Sequence, residues 1–169
     1  MSKISEKVFE KNSDIEMIVI AITLIVMGII LYIVDKKSKS KIKYENINLK
    51  QSIAIGTSQC LAAAFPGVSR SGITMTVARA LGIDRESAAR YSFLLATPIT
   101  AAAVIFDSKN FDFSSLSFWI GILTSFIVGI CIIKFLLEYL KKGSFKGFAI
   151  YRVIIGAFVI AYGIYKILM

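Results

Sequence analysis

Histidine is absent from this 169-residue chain, while proline occurs twice, cysteine twice and tryptophan once. The missing histidine removes the commonest general base and metal ligand at neutral pH. Cys60 and Cys131 both lie inside apolar stretches without the paired spacing of a zinc site, and they read as core-packing thiols. Acidic residues are also few, 11 against 20 basic ones, for a formal charge of +9. Nucleic acid is not an expected partner, because the lysines cluster between apolar runs and the aromatics lie within those runs. No secretory n-region, apolar core and cleavage site opens the chain; residues 1–14 read as a mixed-charge tail ahead of a retained span.

What is present in quantity is apolar surface: 56% hydrophobic residues, only 18% charged, and a mean hydropathy of +0.72. Several runs approach the roughly 20 residues that a helix needs to cross a bilayer. The expected fold is an all-α polytopic membrane protein with about four spanning helices and one re-entrant helical hairpin, in one membrane domain. After the tail come a span at 15–34, a basic linker at 35–50, the hairpin at 51–82, and spans at 84–106, 116–138 and 148–168. The linker carries Lys36, Lys37, Lys39, Lys41, Lys43 and Lys50, and a second basic group follows at Lys134, Lys141, Lys142 and Lys146. Lysine-rich loops stay in the cytoplasm, which puts the amino terminus outside and the Lys109 loop outside. Arg79, Arg85 and Arg90 fall near the inner boundary, where basic side chains extend to the interface, and Arg152 has the same explanation. Pro98 is expected to kink its span. Gly121, Ser125 and Gly129 form a small-residue stripe suited to close packing, within the chain or with another copy.

The segment from Gln51 to Phe65 would be about 22 Å long as a helix, short of the roughly 30 Å hydrocarbon core. It need not cross, because Pro66-Gly67-Val68-Ser69-Arg70-Ser71-Gly72-Ile73-Thr74 turns the chain back. Pro66 ends the first helix, and Gly67 and Gly72 permit backbone angles closed to other residues. A second helix is expected to start near Gly72 with its free amides aimed at the turn, a ready anion site. An arginine at membrane depth is costly unless something offsets it. Phosphate is the obvious partner of Arg70, since its oxygens match the guanidinium fork two at a time, and Ser69, Ser71 and Thr74 add hydroxyl donors. A purely structural loop, with Arg70 paired to a carboxylate or carbonyl, is the alternative. Gln59, two turns before the bend, either reaches this site or bonds a neighbouring helix.

Gln59-Cys60-Leu61-Ala62, the 66–74 string, Tyr91-Ser92-Phe93-Leu94-Leu95-Ala96-Thr97-Pro98 and Phe148-Ala149-Ile150-Tyr151-Arg152 together resemble the undecaprenyl-diphosphate phosphatase, or bacitracin-resistance, family. The likeness runs over about residues 15–169 and matches that family's C-terminal repeat, half of an inverted-repeat fold. It implies a bacterial inner-membrane hydrolase that converts undecaprenyl diphosphate to the monophosphate, with its site facing outward. Arg70 would be the catalytic residue, and Ser69, Ser71, Thr74, Gly67, Gly72 and Gln59 would bind substrate. The resemblance also implies a divalent metal, magnesium or calcium. The family's other repeat, with paired glutamates, a serine-rich stretch and a histidine, has no counterpart here, so the chain reads as a truncated product or fragment, or as a half completed by a homodimer or another partner. A non-catalytic binder or transporter of the same lipid, or an inactive remnant, are the other readings of a half-fold.

Overall fold

The computed structural model describes the backbone of residues 3–39, 41–65, 67–108 and 115–168, and the side chains of these except 3–15 and 167–168. Pro66 and Lys109 lie outside the described residues. Six α-helices follow in order: α1 (Lys3–Lys37), α2 (Leu49–Ala64), α3 (Arg70–Ala80), α4 (Arg85–Asp107), α5 (Leu116–Lys142) and α6 (Lys146–Leu168), with a short 3-10 turn at Tyr44–Asn46. Four are long and apolar enough to cross a membrane, as Glu16–Lys37, Arg85–Asp107, Leu116–Lys142 and Lys146–Lys166. Between the first two of these, α2 and α3 pack against each other as the short-armed hairpin.

Local sequence explains each boundary of the hairpin. Asn48 caps α2 by accepting from Gln51 N at 2.9 Å while Gln51 Oε1 accepts from Asn48 N, a reciprocal box that leaves few free amides at this end. Gly67 takes φ +86°, and a Cβ there would run into the Thr23 hydroxyl and lie 2.6 Å from the Ile20 carbonyl oxygen of α1. Only glycine allows the turn to lie that close to the first span. Gly82 takes φ +83° after α3, and Asp84 caps α4 by accepting from Ser87 N. The linker is pinned beside this second turn: Lys41 N and Ile42 N both donate to Gly82 O, and Asp84 N donates to Ile42 O.

α1 packs along α6 and against α3, which places the hairpin's return arm in the middle of the described helices. Gly28, Gly156 and Gly163 make the α1–α6 approach close; a Cβ on Gly163 would sit 3.0 Å from the Ile18 side chain. Two apolar clusters close the interior, Leu31, Met75, Ala89, Leu140 and Phe145 in one, Ile55, Ala78, Ile83 and Ala88 in the other.

Several expectations need correction. The first helix begins ahead of the expected span: the mixed-charge stretch from Lys3 is helical and continuous with it. Asp35 belongs to the last turn of α1 and is buried, not part of the linker. Cys60 and Cys131 are exposed, and α5 turns its Gly121 and Gly129 to open space, with nothing within 4 Å of either Cβ position. The two glycines of the stripe therefore pack against no other helix among the described residues, which leaves the other reading, packing with another copy.

Candidate anion-binding site

α3 begins at Arg70, two residues earlier than the sequence suggests, because Ser69 is its cap: extended at φ −64°, ψ 124°, it accepts from Gly72 N at 3.2 Å. Ser69 Oγ and Ser71 Oγ share a hydrogen at 3.2 Å. Arg70 is exposed and makes no side-chain hydrogen bond or ion pair among the described residues. Ser69, Arg70, Ser71 and Thr74, together with Gln59, Ser92, Phe93 and Ala96, enclose a pocket of about 370 Å³. Gln59 Oε1 is buried there without a partner among the described residues. Gln59 and Arg70 also line an adjoining groove of about 670 Å³ whose other walls are Cys60, Ala62, Ala63, Val68 and Ile99. A polar pocket on a helix N-terminus thus opens into an apolar channel of small side chains.

The structure brings Gln59, Ser69, Arg70, Ser71 and Thr74 together, and differentiates them. Thr74 is 2% exposed, and its hydroxyl is engaged with Ser92 Oγ at 2.7 Å and with the Arg70 and Ser71 carbonyls at 3.1 Å each. It fixes the first turn of α3 against α4. Gly67 and Gly72 act through backbone approach: Gly67 against α1, Gly72 against a residue the sequence placed elsewhere. That residue is Arg152, 4% exposed, whose Nη1 and Nη2 lie 2.7 and 2.8 Å from the position of a Gly72 Cβ. It does not extend to the interface. The signal was an arginine between the terminal lysines of an apolar helix, inside the motif shared with the family.

The opposite end of α3 holds a second polar centre that sequence reasoning missed. Arg79 is fully buried and donates through Nε to Asp35 Oδ1 at 2.8 Å, and through its terminal nitrogens to the carbonyls of Ile83 and Asp35. Arg85 Nε donates to the same carboxylate at 2.8 Å, and the Phe145 amide at 3.2 Å. Arg79 therefore does not reach the interface either. The ends of α1 and α3 and the starts of α4 and α6 meet at this one carboxylate, so both lysine-rich loops lie at the same end of the molecule. Arg90 keeps its expected place, exposed and 4.8 Å above the Tyr44 ring.

No group of three or more His, Cys, Asp or Glu able to hold a metal ion occurs among the described residues. The donors around Arg70 are hydroxyls, amides and a guanidinium, which suit an anion and do not fit a magnesium or calcium ion.

Residues 1–158 match the family described as Bacitracin resistance protein BacA. The chain belongs to this family. It is 41% identical to an undecaprenyl-diphosphatase of Moorella thermoacetica over 90% of this chain and 60% of that protein. It is 44% identical to one of Caldicellulosiruptor bescii over 94% and 60%, and 46% identical to one of Pelotomaculum thermopropionicum over 85% and 54%. The chain thus spans little more than half the length of these BacA-family relatives.

Proposed function

We propose that this chain is the phosphate-gripping half of an undecaprenyl-diphosphate phosphatase, the hydrolase that turns the lipid diphosphate and water into the monophosphate and phosphate. The observation that carries this is the exposed, unpaired Arg70 on the first turn of α3, flanked by Ser69 and Ser71 and open to an apolar groove. The guanidinium and the first amides of α3 would hold the diphosphate oxygens, and the groove would receive the first isoprene units of the tail. In phosphoryl transfer, positioning and neutralising charge on the transferring group do most of the catalytic work, and Arg70 is placed for that. The nucleophile, the proton acceptor and the ligands of a divalent ion would come from the family's other repeat, whether on the same polypeptide, a second copy or a partner. With the lysine-rich loops in the cytoplasm, the pocket opens toward the outer side of a bacterial inner membrane.

A second reading, binding or transport of the same lipid without hydrolysis, is favoured by one observation: no carboxylate lines the Arg70 pocket. The test is phosphate release from undecaprenyl diphosphate by the purified chain in detergent with magnesium or calcium, beside Arg70→Ala. Release that vanishes in the variant supports a working site built by this chain or its homodimer. Binding without release, still dependent on Arg70, supports the binder. Neither binding nor release removes both.

A further inference from the structure

We propose that Arg152 is a positioning residue for the same site: from behind α3 its buried guanidinium strengthens the hold of the first turn on a diphosphate or phosphate anion without touching it. This rests on the reading of Arg70 as an anion-binding residue.

The placement comes first. Arg152 rises from α6 with its Cβ 3.1 Å and its Cδ 3.5 Å from where a Gly28 Cβ would lie, so its stem crosses α1 at a glycine. Its Cζ stands 5.2 Å from the Phe148 ring centroid, and the guanidinium ends against the backbone of Gly72, the third residue of α3. Gly72 has no positive φ to explain it; what it provides is room, since any Cβ would occupy the space of the guanidinium. Arg70, Ser71 and Thr74 face the pocket, and at 100° per residue Gly72 lies on the opposite side of the helix.

Charge gives the placement its meaning. Nη1 of Arg152 is buried without a hydrogen-bond partner, and no carboxylate pairs with Arg152 or Arg70 among the described residues. The start of a helix already carries a partial positive charge. Two guanidinium groups and a helix N-terminus in one low-dielectric volume repel one another until an anion arrives. A unit charge acting across one helix, roughly 10 Å, at an effective dielectric of about 20 changes the affinity of a monovalent anion on the order of tenfold. A diphosphate feels more.

The experiment titrates pyrophosphate into the purified chain in detergent at two salt concentrations by calorimetry, for the unaltered protein, Arg70→Ala, Arg152→Met and Arg152→Lys. Circular dichroism reports the fold. Methionine keeps an apolar stem over Gly28 and Phe148 and removes the charge. The expected result is a loss of about tenfold or more in Arg152→Met with helix content kept, a shallower salt dependence, and recovery of most of the affinity in Arg152→Lys. Unchanged affinity in a folded Arg152→Met, or a folded lysine variant as weak as the methionine one, overturns the proposal. If Arg152→Met does not fold, Gly72→Ala, which displaces the guanidinium with its charge intact, decides: weakened binding supports the proposal and unchanged binding overturns it. A chain that binds no pyrophosphate, or binds it equally with Arg70→Ala, overturns the reading of the site itself, an outcome separate from failure at Arg152 alone.

Discussion

The two ends of α3, an 11-residue helix, hold arginines under opposite conditions. At its C-terminal end Arg79 is enclosed, and its charge is matched by Asp35, which also takes Arg85 and a backbone amide. At its N-terminal end Arg70 and Arg152 flank the first turn, and among the described residues neither has a carboxylate partner. A buried ion pair whose arginine also reaches two backbone carbonyls ties together the segments that carry them. On the proposed reading, a guanidinium cluster left unmatched beside free amides is arranged for an anion that arrives from outside. The same residue type would then carry structure at one end and recognition at the other, and what separates them is the partner.

The comparison breaks most severely at Asp35. Asp35→Ala leaves Arg79 buried without its counter-charge and releases the ends of α1, α3, α4 and α6 from one another. Removing one member of a buried pair costs about 3–5 kcal/mol. The expected outcome is loss of folded protein, read as yield and as the thermal midpoint in detergent, with Asp35→Asn intermediate because it keeps an acceptor oxygen. An unchanged midpoint would show that the cluster carries no stability.

Arg70→Ala probes the other end and should behave in the opposite way. Its side chain is exposed and unbonded, so the melting midpoint should stay where it is. Charged hydrogen bonds are worth about 1.5–3 kcal/mol, which predicts a loss of roughly 10- to 100-fold in pyrophosphate affinity by calorimetry. A large drop in stability with little change in binding would move Arg70 to the structural side of the comparison.

Gly67→Ala lies between the two. The residue must hold a left-handed backbone while its new methyl meets Ile20 and Thr23 of α1, at a cost of about 1–3 kcal/mol. Both melting and binding should worsen, since the turn that Gly67 closes carries Ser69 and Arg70. A folded variant with unaltered affinity would show that the turn and α3 are positioned independently.

Much of this arrangement was legible in the sequence. Apolar run lengths and lysine placement gave four spans and a hairpin, and the 66–74 string named residues that the structure gathers around one pocket, because turn chemistry and charge act locally. Non-local charge pairing was not legible. Asp35 stands at the edge of a lysine cluster, and nothing in the neighbouring letters says that it turns inward to meet Arg79 and Arg85, 44 and 50 residues on. Arg152 was hidden for a related reason. Its neighbour is a glycine, and a glycine explained by the space above it looks in sequence like one explained by its backbone angle. The cysteines misled in the other direction, since an apolar helix facing lipid or a partner has the composition of one facing a core.

The smallest effect belongs to Ser69, and it separates two roles held by one hydroxyl. As the cap of α3 it satisfies Gly72 N, and beside Arg70 it would be a donor for the proposed anion. Ser69→Ala should lower stability by about 1 kcal/mol and weaken binding, which confounds the two. Ser69→Gly restores much of the cap, since glycine at this position differs from serine by only a few tenths of a kcal/mol. Ser69→Asp caps as well as serine does while setting a carboxylate beside Arg70. Melting in detergent should therefore rank the unaltered chain, Ser69→Asp and Ser69→Gly close together above Ser69→Ala, whereas pyrophosphate affinity should fall modestly in Ser69→Gly and almost completely in Ser69→Asp. If Ser69→Asp bound pyrophosphate as well as the unaltered chain does, the N-terminal end of α3 would be a matched centre like its C-terminal end, and the difference between the two ends would vanish.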